Sequence, residues 1–141
     1  MDRTPPPASA TPEWLVRKQK PEAMQAELVA AAARLERILE AVGACFDTSP
    51  ELLRSQRRDR ALAQARFAAV ALILEQCPEL SLPQIGRALG GRDHTTIIHA
   101  RQRAAELLLP DWHSEPWRNA YHAARTRVLT QALTPMPAGR R

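Results

Sequence analysis

Gly90 and Gly91 stand between two stretches whose apolar residues recur at helical intervals, and they leave very little chain in which to turn. Upstream, Ser81-Leu82-Pro83-Gln84 has the form of a capping box, with proline inside the first turn, where its missing N–H does no harm. That predicts a short helix over 81–89. Glycine takes left-handed backbone at a helix end without steric penalty, so the pair predicts a stop. A second helical pattern runs from about Asp93 to Leu109 before Pro110 ends it. Two helices joined by so short a link must cross sharply, as in a helix-turn-helix.

The rest of the chain agrees with an all-α helical bundle around that motif. Residues 22–42 are rich in alanine, with Leu28, Leu35, Ile38, Leu39 and Val42 at helical spacing, and Gly43 is expected to interrupt them. "DTSPELL" supplies a new start, with Thr48 or Ser49 as cap, Pro50 in the first turn and Glu51 at the positive helix end. A helix over 61–77 is apolar through "ARFAAVALIL", hence buried, and Pro78 stops it. No stretch alternates with period two, so no sheet is predicted.

Three segments follow: a flexible proline-rich arm at 1–21, a core at 22–110, and 111–141 as one more helix from about Glu115 with a disordered tail. Trp14 is either a docking anchor or a loose hydrophobe in the arm. Trp117, Tyr121 and Val128 fall at loosely helical spacing in the last segment.

Charge narrows the function. The chain carries a formal +5 with pI near 10.2, almost all of it from arginine, and a basic balance favours a polyanionic partner. The arginines cluster: Arg54, Arg57, Arg58, Arg60 and Arg66 stand against Glu51 and Asp59, and Arg87, Arg92, Arg101 and Arg103 against Asp93. Between them, 67–84 holds only Glu75 and Glu79. Cys45 and Cys77 lack metal-ligand spacing and read as free thiols in a reducing compartment. No apolar run is long enough to span a membrane, and "MDRTPPPASATPEW" has no hydrophobic signal core. The expectation is a cytoplasmic, nucleoid-associated protein without membrane or small-molecule partners.

On a helical wheel at about 100° per residue, Ile97, Ala100, Ala104, Leu107 and Leu108 form one inward arc. His94, Thr95, Ile98, His99 and Gln102 lie opposite, flanked by Arg101 and Arg103. A metal site needs His94 and His99 to converge, but five residues put them about 140° apart. A catalytic Asp93–His94 pair points about 100° apart and has no nucleophile. "GRALGGRD" lacks the Gly-Lys-Ser/Thr ending of a phosphate-binding loop. The expectation is therefore no enzyme, no metal and no cofactor. Asp93 alone reads as a helix N-cap and Thr95 as a solvated first turn. Together, at the mouth of the second helix of a helix-turn-helix, they suit base edges in the major groove. Asp accepts from cytosine N4, Thr and Ile touch a thymine methyl, and His donates to purine N7 or phosphate.

"LSLPQIGRALGGRDHTTIIHARQ" resembles the signature of the C-terminal DNA-binding domain of the bacterial replication initiator DnaA, and "ILEAVGACFDTSPELLRSQRRDRALAQAR" extends the likeness upstream. The resemblance covers about residues 33–109. It implies major-groove base contacts for Asp93, His94 and Thr95, with Thr96 close by, and a minor-groove contact for Arg58. It implies phosphate or groove-wall contacts for Leu82, Pro83 and Arg66, with His99 near the backbone; Arg57, Arg60 and Arg92 join them from the arginine clusters. The implied target is a DnaA box, a short asymmetric AT-rich element in double-stranded DNA. Gln64, Ala65 and Leu74 depart from the family's usual Arg, Pro and Lys, which bears on affinity rather than on the mode of recognition. No Walker motif is present, so a stand-alone regulator of replication initiation or transcription is expected, without ATP-driven oligomerisation. The alternative is a protein-interaction module that binds the initiator or another replication protein through Trp112, Trp117 and the last helix.

Overall fold

The computed structural model describes residues 12–15 and 22–133. Most of the expected arm and the tail "TPMPAGRR" lie outside the described residues. Those described form α1 (Glu22–Cys45), α2 (Pro50–Arg54), α3 (Arg60–Gln76), α4 (Leu82–Ala88), α5 (His94–Leu107) and α6 (Glu115–Leu133), the last entered through a 3-10 turn at Trp112–Ser114. No strand occurs among them, and none of the helices is long and apolar enough to cross a membrane.

The helices begin where short polar side chains can take up free N–H groups. Ser49 accepts from Leu52 N and Asp59 from Leu62 N. Ser81 and Gln84 complete the capping box in both directions. Gly43 departs from expectation: α1 runs through it to Cys45. A Cβ on Gly43 would stand 2.9 Å from Thr48 O, so this glycine lets the chain after the helix fold back against it.

The core is organised around α3, which packs against both α1 and α5. Leu35, Ile38, Leu39 and Val42 of α1, Val70, Leu72 and Ile73 of α3, and Leu53, Ile85, Leu89 and Ile97 are all buried in one apolar cluster. Each such side chain contributes roughly 1.5–3 kcal/mol by leaving water. Ala65, Ala68 and Ala69 are fully buried on α3, and small side chains there let neighbouring helices approach closely. Cys77 at the end of α3 is a buried free thiol near Ala31 O (3.5 Å), and burial pushes its pKa up to about 11.

α6 joins this core. Trp117, Tyr121, Ala124 and Val128 fall on one face and are all buried, against α1 and α3. The Trp117 and Tyr121 rings stack at 5.2 Å, and Trp117 Nε1 donates to Gln64 O (2.9 Å). Arg125 pairs with Glu75 of α3 (2.5 Å). Trp117 is thus a core residue rather than an exposed anchor, because its apolar ring and its one donor both find partners inside. Only Trp112 of that pair, at 74% exposure, faces solvent. Near the N-terminus, Trp14 is half-buried, its carbonyl accepts from Arg87 Nε (3.0 Å), and Leu15 is buried, so this piece of the expected arm rests on the bundle.

Candidate nucleic-acid interface

The turn between α4 and α5 depends on its glycines. Gly90 and Gly91 have φ of +87° and +82°, the left-handed region that side chains avoid. Gly91 N and Arg92 N both donate to Gly86 O, at 3.1 and 2.8 Å. A Cβ on Gly86 would lie 2.1 Å from Arg92 O, so only glycine lets the turn fold so closely onto α4. The outcome is a tight turn that launches α5 with its first turn in solvent.

Asp93, His94, Thr95 and Thr96 are all exposed there, while Ile97, Ala100 and Ala104 of the same helix are buried. This is the division the helical wheel predicts. Asp93 occupies the N-cap position, but its carboxylate makes no cap bond. It accepts the Thr95 hydroxyl instead, and His94 Nδ1 stands 3.5 Å away. The Thr95 hydrogen bond above all, opposed by desolvation and helped by the nearby His94, holds the Asp93 carboxyl below the usual aspartate range. The tip therefore presents an ionised acceptor, an imidazole and two hydroxyls within one helical turn.

A second element faces the same region. The arginine-dense stretch divides into α2 and a loop, Ser55–Asp59. Arg66 grips the end of α2 and this loop together: Nε donates to Leu53 O (2.9 Å), Nη1 to Arg57 O (2.9 Å), and Nη2 to Leu52 O (3.1 Å) and Ser55 O (2.9 Å). Asp59 caps α3 and pairs with Arg57 at 3.0 Å. Arg58 and Arg60 are exposed.

Loop and turn are tied together. Arg92 Nη2 donates to Ser55 O (2.7 Å) while its Nη1 donates to Leu89 O. Gln56 Nε2 donates to Gly90 O (3.3 Å), and Arg54 Nε to Ala88 O (2.8 Å). Arg66 and Arg92 are half-buried, and burial lowers both guanidinium pKa values, with the Arg92 charge adding to the effect on Arg66. Between loop and α5 lies a cleft of about 290 Å³ with an apolar floor that includes Phe67, Val70 and Ile97. It gathers Arg57, Arg58, Arg66, Arg92, Thr96 and His99. The Phe67 ring meets His99 edge-on at 6.2 Å and lies under Arg103 at 5.9 Å. Asp93, His94 and Thr95 are at the tip of α5, and Leu82 and Pro83 open α4, Leu82 half-buried and Pro83 exposed.

Residues 35–104 match the family model described as the bacterial DnaA protein helix-turn-helix. This segment is a DnaA helix-turn-helix domain. The chain is 41% identical over 78 residues to the chromosomal replication initiator protein DnaA of Bartonella quintana, covering 55% of this chain and 16% of that protein. It is 40% identical over 77 residues to the corresponding protein of Nitrosomonas eutropha, covering 55% of this chain and 17% of that one. The chain thus spans about a sixth of the length of these DnaA relatives. The family-model match ends at residue 104, so α6 lies beyond that span although it packs against it. The ties made by Gln56 and Arg54 are not legible in the sequence, because counting charge in "ELLRSQRRDR" says nothing about which side chains reach the turn.

Proposed function

We propose that the chain binds double-stranded DNA at DnaA-box-like sites and so regulates replication initiation or transcription, with no ATP hydrolysis of its own. The observation that carries this is the exposed Asp93–Thr96 tip standing beside a basic cleft on the same side of the bundle. In this reading Asp93, His94, Thr95 and Thr96 meet base edges in the major groove. Arg58, exposed on its loop, enters the minor groove. Arg57, Arg60, Arg66, Arg92, His99, Leu82 and Pro83 follow the sugar-phosphate wall. The protein would work in the cytoplasm at the nucleoid.

Fluorescence anisotropy with a DnaA-box duplex and a scrambled duplex, at several salt concentrations, tests this. Thr95→Ala or His94→Ala should each cost about 1–3 kcal/mol on the box and relax sequence preference. Arg58→Ala should weaken the box complex with a smaller loss on the scrambled duplex. Equal affinity of the unaltered protein for both duplexes at every salt defeats the reading.

A second reading, a module that binds the initiator or another replication protein, is favoured by Trp112 alone, since Trp117 belongs to the core. Deleting α6 would strip that core. Trp112→Ala is the cleaner probe: loss of initiator capture with duplex binding intact would support the second reading.

A further inference from the structure

The two elements proposed to enter the grooves are far apart in sequence, yet they are joined by bonds that all end on main-chain carbonyls. Arg92 reaches from the turn to Ser55 O, Gln56 reaches back from the loop to Gly90 O, and Arg54 holds Ala88 O. Gly90 is pressed so close to α2 that a Cβ on it would stand 2.1 Å from Arg54 O. Arg66 fixes the loop against the end of α2 through four carbonyls, those of Leu52 and Leu53 in the helix and of Ser55 and Arg57 in the loop. The side chain of Arg58 is left outside this network, exposed.

Arg92 has an unusual place in it. It is half-buried, and its charge acts on Arg66; Arg66 feels the Asp59 carboxylate, whereas Arg92 makes no salt bridge among the described residues. A guanidinium that only bound phosphate would gain from full exposure. This one is turned so that its two terminal nitrogens bridge two carbonyls on different elements. The planar fork places two nitrogens on two separate carbonyls, and the one nitrogen of a lysine ammonium, although it has three N–H donors, cannot occupy both positions.

We propose that Arg92 is a positioning residue that sets where Arg58 stands relative to Asp93–Thr96, so that minor-groove and major-groove contacts form together. The inference rests on the DNA-binding reading above. Its physical content is preorganisation: the loop is ordered at folding, so binding does not have to order it, and a duplex offering only one of the two contacts gains little.

The test is a double-mutant cycle on the DnaA-box and scrambled duplexes, with far-UV circular dichroism to confirm folding. Arg92→Lys keeps the charge but loses the bridge. It should weaken box binding about tenfold and scrambled-duplex binding by clearly less, and because the charge is kept the salt dependence should hold. In an Arg58→Ala background the same substitution should cost nothing further. Gln56→Ala, which removes a neutral bridge from the loop side, should lower the box-to-scrambled ratio in the same direction, and it decides the matter if Arg92→Lys does not fold. The proposal is overturned if Arg92→Lys keeps box affinity, if its loss is equal with and without Arg58, if the scrambled duplex loses as much, or if Gln56→Ala leaves the ratio unchanged. Failure of the unaltered protein to discriminate the duplexes is a separate result: it removes the DNA-reading proposal itself, and this inference with it.

Discussion

Alanine at Gly90 and alanine at Gly91 should have different effects, although the two glycines share nearly the same backbone geometry. Their φ values are +87° and +82°, so a side chain at either position carries the left-handed penalty, about 1–2 kcal/mol. At Gly91 nothing else is added, because a Cβ there has no neighbour within 4 Å. At Gly90 the Cβ would sit 2.1 Å from Arg54 O and 3.0 Å from Arg92 Nη1. The guanidinium can swing aside, but the carbonyl is main chain at the end of α2, whose Arg54 is held to Ala88 O and Glu36. Opening that contact to 3.0 Å needs a movement of about 0.9 Å, which strains the Arg54–Ala88 and Gln56–Gly90 bonds. Each bond is worth about 0.5–1.5 kcal/mol. Gly91→Ala should thus lose about 1–2 kcal/mol, and Gly90→Ala about 2–5 kcal/mol. Urea unfolding followed by circular dichroism, at matched slope, measures both. Equal losses for the two variants would show that the approach of the turn to α2 is not close, and the argument would fail.

Trp117→Ala should destabilise by about 3–5 kcal/mol in the same assay, since it empties a buried site and leaves Gln64 O without its donor; a loss under about 1 kcal/mol would mean that α6 is not part of the core. For Asp93 the folded pKa is depressed, so its carboxylate contributes above the ordinary aspartate value near pH 4 and is lost only as the pH falls through the lower folded value. Asp93 should therefore stay ionised across about pH 5–8, and Thr95→Val should raise its NMR titration midpoint; an unchanged midpoint would show that the hydroxyl bond does not form.

The parts legible in the sequence are those in which cause and effect are neighbours along the chain. Ser81 and Gln84 meet each other's backbone within one turn, Gly90 and Gly91 take the left-handed geometry that their residue type permits, and the inward face of α5 follows from spacing alone. Gly43 reads as a stop in the sequence because its actual reason, the nearby Thr48 carbonyl, arises only after the chain has turned. Trp117 looked available for a partner because the Gln64 carbonyl and the α1 face that receive it are distant in sequence. The arginines show the same limit. Charge counting finds Arg58, Arg66 and Arg92 alike, and only the packed structure separates the exposed one from the two that hold main chain.

Because Arg66 clasps the backbone of its loop, the scaffold is indifferent to what residues 57 and 58 carry outward. The Arg57–Asp59 pair is solvent-exposed and adds little to stability. Mutational drift or deliberate engineering can rewrite those two positions as an interchangeable cassette, retuning groove chemistry without renegotiating how the bundle folds.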